Sequence, residues 1–425
     1  MRSSRYLFVA SVAAFALVAA ACGDDGGKSA STTTAKPAAT GATATGAGAT
    51  GASGTGSSGA AVSCKLDKAP KLIGLAEKPP EGPNAIPDYA NGWELALDGL
   101  TICGQKVDFE RLPMSPSDSA AAKTTYLSAL DKKPDAILGF NSSAVLPGLA
   151  ADIKTSGVPT MAMTGSGTIF LGATNGIGSE WLFGLRPRTG GVAAAQVDYL
   201  VKDLGKKKVG LICATQAFGV QSCDAAKPAI EAAGATLVSR QEADQQATNL
   251  TTQILALKNA GVEGVLVFLF PNSVVVAFNQ AAENGLNVPI FGGASTALAI
   301  ATKNVTPAGL KNAWGIDDCV PASDARGADF AAKYKAKYGI NPGYAAASAF
   351  DGINILKSVI EKVGKLDKKA IADELRKLEY KGVCDDYKAD PAQGLHHSNS
   401  IESFDAAGVP KVEKKVAIPA PANGG

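Results

Sequence analysis

Few residues in this 425-residue chain could do chemistry, and their spacing rules out most of what they could do. Of seven cysteines, six lie in the body of the chain: Cys64, Cys103, Cys213, Cys223, Cys319 and Cys384. None has the Cys-x-x-Cys spacing of a zinc or redox site. In an exported chain an even number points to disulfides. Several connectivities are open, and pairing neighbours (64 with 103, 213 with 223, 319 with 384) is the simplest. Cys213 and Cys223 flank a strand-to-helix turn with no base to activate a thiol, so a bridge is a plainer account than a nucleophile. The two histidines, His396 and His397, are adjacent. On extended chain they point to opposite faces and cannot readily chelate one metal, so a solvated pair and no metal site are expected. No GxSxG, HExxH, P-loop or paired-carboxylate motif is present, which argues against an enzyme and leaves no cofactor to expect. The formal net charge is +2, interspersed without a basic stripe, so no nucleic-acid partner is expected.

What remains is hydrogen bonding from polar turns, and two of them match. The stretch FNSSAVLPGLAADIKTSGVPTMAMTGS from Phe140 parallels FPNSVVVAFNQAAENGLNVPIFGGAS from Phe270. Each runs strand end, Asn-Ser, helix, Gly, Val-Pro, strand, polar turn. Asn141-Ser142 and Asn272-Ser273 suit helix N-caps. They also sit where a ligand binds in an open parallel sheet, beyond the carboxyl ends of the strands.

The elements that would position them alternate. Strands are expected at 71–76, 107–112 and 136–140 with helices at 89–100 and 117–130. The order repeats with strands at 208–213 and 235–239 and a helix at 224–233, followed by a helix whose apolar face is Leu250, Ile254 and Leu257. Such alternation implies βαβ units and parallel sheets, and two series imply two lobes. The longest apolar run in the body, Val265–Phe270, is strand-sized.

The N-terminus differs. Arg2 and Arg5 precede an apolar stretch from Leu7 to Ala20, too short to span a bilayer comfortably, and then small residues, as in a signal peptide. Ala19-Ala-Ala-Cys22 resembles the lipobox of bacterial lipoproteins, which implies cleavage before Cys22 and lipidation of its thiol. Residues 23–63 are almost entirely Gly, Ala, Ser and Thr, too poor in apolar side chains to offset the entropy of ordering, and read as a tether.

Several segments of the body, taken in order, resemble the branched-chain amino acid-binding family of ABC-transporter solute receptors. They are Glu81-Gly-Pro-Asn84 with Asn91–Asp98, then Asp131–Ser143, Val158–Ser166, and Phe330–Pro342 with Tyr344–Asp351. The resemblance runs from about Lys71 to Ile418. It implies an α/β type I periplasmic binding protein, two Rossmann-like lobes with parallel sheets joined by three hinge crossovers. The expected layout is a signal peptide at 1–21 and a lipid-anchored linker at 22–63. Lobe one would be 64–187 with 314–384, and lobe two 188–313 with 385–425.

Carried over motif by motif, the resemblance implies ligand contacts from Ser142 or Ser143, Thr164 and Ser166 in lobe one and from Phe218 and Phe270 in lobe two. The family's acidic residue, which holds a ligand ammonium, falls at or next to Ser295. Glu77, Glu81 or Glu180 could supply that charge from another loop. The implied role is a receptor on the outer face of the cell membrane that delivers a small polar or amphipathic solute (an amino acid, amide or organic acid) to an ABC permease. A sensor signalling to a membrane partner is the competing reading.

Overall fold

The computed structural model describes residues 64–77, 88–139, 142–165, 177–294, 296–301, 305–383 and 385–418. The chain opens with β1 (Lys71–Ala76), α1 (Asp88–Leu97), the short hairpin β2 (Thr101–Ile102) and β3 (Gln105–Lys106), and β4 (Asp108–Pro113). It continues through α2 (Ser119–Asp131), β5 (Ala136–Gly139), α3 (Leu146–Thr155), β6 (Thr160–Ala162) and β7 (Leu182–Gly184). These strands form a five-stranded parallel sheet in the order β4-β1-β5-β6-β7.

The second series is α4 (Thr189–Asp198), β8 (Lys208–Ala214), α5 (Ala217–Ala232), β9 (Thr236–Ala243), α6 (Thr251–Asn259), β10 (Gly264–Phe268), α7 (Pro271–Glu283) and β11 (Ile290–Phe291). After α8 (Thr296–Ala301) and α9 (Pro307–Leu310) comes β12 (Ala313–Asp317). The chain then returns to the first lobe with α10 (Ala328–Tyr338), α11 (Tyr344–Val363), α12 (Lys368–Leu375) and the hairpin β13 (Glu379–Lys381) and β14 (Asp386–Lys388). It ends in the second with β15 (Ser398–Phe404) and β16 (Pro410–Ala417). The second sheet has seven strands, β16-β15-β12-β11-β10-β8-β9, parallel except where β15 and β16 join antiparallel.

Both parallel series carry the same order, second-first-third-fourth-fifth, so each has a switch point between its first and third strands. Both sheets are covered on two faces, which is why their strands read as apolar runs rather than alternations. In the first lobe Leu72 packs toward Trp93, Ile353 and Leu356, while Ile73 and Leu75 pack toward Tyr126, Leu149 and Ile153. Gly92 is required where α1 meets α11, because a Cβ there would lie 2.2 Å from the Ala346 carbonyl oxygen. In the second lobe Ile254, Leu257 and Phe278 cover one face, and Val197, Ala226 and Ile230 the other.

Some expected boundaries move. β12 pairs with β11 inside the second sheet, so the chain leaves lobe two after Asp317, not at 314. Gly394 bridges to Gly184, which keeps the chain with the first sheet beyond 384 and places the third crossover at residues 395–397. The helix expected at 224–233 begins at Ala217. The turn serines do not cap helices. Val145 stands at the start of α3, with Ser142 Oγ accepting from Ala144 N at 3.3 Å, and α7 starts at Pro271 with Phe270 as its cap residue. Among the described residues, no helix is long and apolar enough to cross a membrane.

Disulfides join Cys64 to Cys103 and Cys213 to Cys223. Cys319 is disulfide-bonded too. Its expected partner, Cys384, lies outside the described residues, as do Cys22, the signal peptide and the linker.

Candidate functional site

The carboxyl ends of both sheets face a single large cleft of about 920 Å³. Lobe one contributes Ala76 at the end of β1, Pro113 and Met114 at the end of β4, Ser142 and Ser143 after β5, and Thr164 and Gly165 after β6. Lobe two contributes Gln216 and Phe218 after β8, Gln245 after β9, Phe270 to Ser273 after β10, and Gly293 and Ala294 after β11. The cleft therefore spans both switch points at once, the position where an open α/β sheet offers exposed loops and free backbone N–H groups.

The expected contact residues Ser142, Ser143, Thr164, Phe218 and Phe270 all line it. Ser142, Ser143 and Thr164 are buried in the lobe-one wall. Ser166 and Ser295 lie outside the described residues. Of the three glutamates, Glu77 lines the cleft and Glu81 is outside the described residues. Glu180 is exposed, at 3.6 Å from Arg376 Nη2, and is not part of the lining.

The sequence reasoning missed Asp88, Tyr89, Arg186, Gln196 and Tyr344. Asp88 opens α1, where its side chain reaches across to α11. It accepts from Tyr334 Oη at 2.9 Å and from Ala346 N at 2.9 Å, capping a helix that follows Gly343 and has no cap of its own. Burial pushes this carboxyl up to about 6, against the pull of those hydrogen bonds. Tyr89 and Tyr344 lie edge to face with their hydroxyls 3.2 Å apart. Nothing in local spacing brings these residues together, since the partners stand some 250 positions apart.

Arg186 sits in the first crossover, residues 185–188. Its guanidinium stacks on the Tyr344 ring at 4.2 Å and pairs with Asp318 through Nε and, at 3.2 Å, Nη2. Asp318 begins the second crossover, and it also accepts from Asn399 Nδ2, just past the third, at 3.0 Å. Burial disfavours the guanidinium charge, but the Asp318 carboxylate, with Tyr344 and Tyr89, outweighs it and holds the pKa above the ordinary arginine value. A parallel brace runs from Arg188 to Asp390 at 2.7 Å. The first two crossovers are thus tied to each other by a buried ion pair, and the second also to the start of β15, just past the third, by a charged hydrogen bond. Gly165 makes room for this base, because a Cβ there would lie 2.2 Å from the Pro187 carbonyl oxygen.

The histidines correct an expectation. His396, in the third crossover, is buried and stacked on Tyr387 with centroids 5.0 Å apart, so the pair is not a solvated one. Burial lowers its pKa and keeps the ring neutral at pH 7. His397, half-buried, meets the Lys388 carbonyl at 2.8 Å. Among the described residues, no cluster of three or more His, Cys, Asp or Glu could hold a metal.

A family model described as periplasmic binding protein matches residues 81–400. The chain belongs to that family. A Leu/Ile/Val-binding protein homolog 8 from Brucella abortus is 28% identical over 275 residues, covering 60% of this chain and 66% of the relative's own length; a Brucella suis homologue matches equally. The fold is shared with the leucine-binding protein LivK of Thermotoga maritima, at a TM-score of 0.71 and 18% identity over 82% of this chain and 99% of that one. A benzoate-bound solute-binding protein of R. palustris gives 0.71 and 17%, over 84% and 98%. LivJ of Streptococcus pneumoniae in complex with isoleucine gives 0.70 and 18%, over 83% and 99%. In this periplasmic binding protein the cleft and its braced crossovers are therefore placed on a type I binding-protein scaffold.

Proposed function

We propose that the chain is an extracytoplasmic solute-binding lipoprotein. It would capture a small polar or amphipathic molecule between its lobes and present the closed form to an ABC permease. The observation that carries this reading is the cleft formed where the switch points of two matching sheets meet, lined by hydroxyls and amides together with Phe218, Phe268 and Phe270. A ligand contacted from both sides favours closure by its differential affinity for the closed state. Family membership supports the transport role. Relatives named for leucine, isoleucine and valine, and neighbours holding isoleucine or benzoate, support an organic solute small enough for such a cleft. Among the described residues, nothing in the lining is arranged as a nucleophile with its base, which favours binding over turnover.

The test is purification under native conditions followed by mass spectrometry of what is released on denaturation. A small organic solute that rebinds in calorimetry supports the reading, and conversion of that solute to a product refutes it. The anchor is tested separately. Cys22→Ser should release the chain from membranes or leave the leader uncleaved, and unchanged fractionation with unchanged migration sinks the lipidation reading.

A further inference from the structure

The two walls of the cleft differ in a way that bears on the solute, given the receptor reading on which this inference rests. The acidic side chains lining the cleft among the described residues, Glu77 and Asp88, both belong to lobe one, and Asp88 is committed to Tyr334 and Ala346. Among the described residues the polar lining of lobe two is uncharged, with Gln196, Gln216, Gln245, Ser222, Asn272 and Ser273 among its side chains.

Two of these glutamines have a defined orientation. Gln196, on α4 and 0% exposed, donates from Nε2 to the Gly292 carbonyl at 3.0 Å. That bond leaves Oε1 as an acceptor without a hydrogen-bond partner among the described residues. Gln216 repeats the arrangement, with Nε2 to Asp244 at 3.4 Å and Oε1 unpartnered. Buried acceptors are costly unless a donor meets them. An ammonium could donate, but in a desolvated cleft without a carboxylate opposite it would carry an unpaired charge. An N–H or O–H of a neutral group satisfies the amide oxygens without that cost.

We infer that lobe two reads a neutral hydrogen-bond donor of the solute, a carboxamide or hydroxyl, with Gln196 as a specificity-determining residue, and that it rejects solutes carrying an ammonium at that end. The hydroxyls of Ser142, Ser143 and Thr164 would take an oxyanion or carbonyl at the other end, with an apolar body along the phenylalanines.

The test is calorimetry of the full chain against matched triplets that differ only at one end. One triplet is benzoate, 4-hydroxybenzoate and 4-(aminomethyl)benzoate; the other is hexanoate, adipamate and 6-aminohexanoate, with leucine and isoleucine alongside. In a triplet that binds, the neutral-donor member should exceed the unsubstituted one by about tenfold or more. The ammonium member should fall about a hundredfold below it. Gln196→Leu should erase the ratio between the donor and unsubstituted members, whatever it does to their common affinity, and Gln196→Glu should shift preference toward the ammonium member. Ammonium members or free leucine binding as tightly as the donor member would overturn the inference and leave the receptor reading standing. So would a donor preference untouched in Gln196→Leu. The wild-type series decides the question even if a variant does not fold. Failure of all eight probes, together with no small molecule released on native purification, would overturn the receptor reading itself.

Discussion

Lobe one brings charge to the cleft and restrains it, while lobe two, on the same strand order, keeps charge behind its wall. In lobe one Arg186 is held by Asp318, and Asp88 by Tyr334 and a helix N–H. In lobe two the cleft face is amide, hydroxyl and phenyl, and the buried carboxylates Asp317 and Glu402 lie at the β12–β15 pairing. Glu402 fits only because Gly315 stands opposite, where a Cβ would lie 2.4 Å from Oε1. One scaffold thus sorts its ionisable groups by task. The charges at the base of lobe one brace the crossovers, and on the reading proposed above the neutral face of lobe two is the one that recognises the solute.

The largest effect should come from breaking the brace. Arg186→Met leaves Asp318 buried with Asn399 as its remaining partner, and removing one member of a buried pair costs about 3–5 kcal/mol. Urea unfolding should show that loss. Adding Asp318→Leu should recover much of it, since the pair taken together is worth far less than its broken half. A single-variant loss below about 1 kcal/mol would mean the crossovers are not held by this contact.

The staples of the two lobes should differ next. Cys64 and Cys103 close a separation of 39 residues in lobe one, and Cys213 and Cys223 one of 10 in lobe two. Loop-closure entropy predicts a loss of about 4 kcal/mol for the first pair replaced by Ala and about 3 for the second. Equal losses, or a reversed order under the same denaturant, would show that native contacts rather than chain entropy dominate.

The buried acid of lobe two should then respond in the opposite direction. Burial first, and the Asp317 carboxyl second, raise the Glu402 pKa well above 4.5. Below pH 4.5 the group is protonated in both states and costs nothing. As pH climbs, the unfolded chain releases the proton and the folded one does not, so stability falls until the folded pKa is reached. Glu402→Gln should remove this loss and gain about 1–3 kcal/mol at pH 8, with little change at pH 4. A variant destabilised at both pH values would refute the account.

How far these features could be read from sequence depends on the range of the interaction. Lys71–Ala76, Lys208–Ala214 and the matched segments after Phe140 and Phe270 were legible because apolar runs and Val-Pro punctuation are local signals. The strand-end position of Ser142 and Ser273 followed from the parallel-sheet rule, whereas Thr164 and Phe270 came from the family resemblance. The cap reading of Ser142 and Ser273 failed, because Pro271 itself starts α7 and Val145 precedes α3. His396 was misread because adjacency says which way side chains diverge, not which of them the crossover buries. Arg186, Asp318 and Asn399 carry no local signature at all. They meet only when three crossovers pass side by side, with 132 positions between the first two and 81 between the last.

The smallest net effect should belong to Asp88, and its value lies in the contrast with Glu402. Both are buried carboxyls with raised pKa, but Asp88 stands alone, with hydrogen-bond donors rather than a second acid beside it, and is raised from 3.8 only to about 6. By the same linkage, its contribution is fully present below about pH 4, is lost as pH rises to about 6, and is level above that. Asp88→Asn cannot ionise, so stability measured between pH 4 and 6 should lose a slope worth on the order of 2–3 kcal/mol. At pH 7.5 the gain from removing a buried charge is offset by a poorer acceptor for Tyr334 Oη and Ala346 N, leaving a net change of about 1 kcal/mol or less. Glu402→Gln should instead keep the slope that Asp88 supplies and remove only the loss that Glu402 accumulates as pH climbs above 4.5. If Asp88→Asn leaves the acid slope intact, another buried carboxyl supplies it. Asp351, buried beneath Val383 N at 3.1 Å and pushed by burial up to about 7, is the residue to replace next.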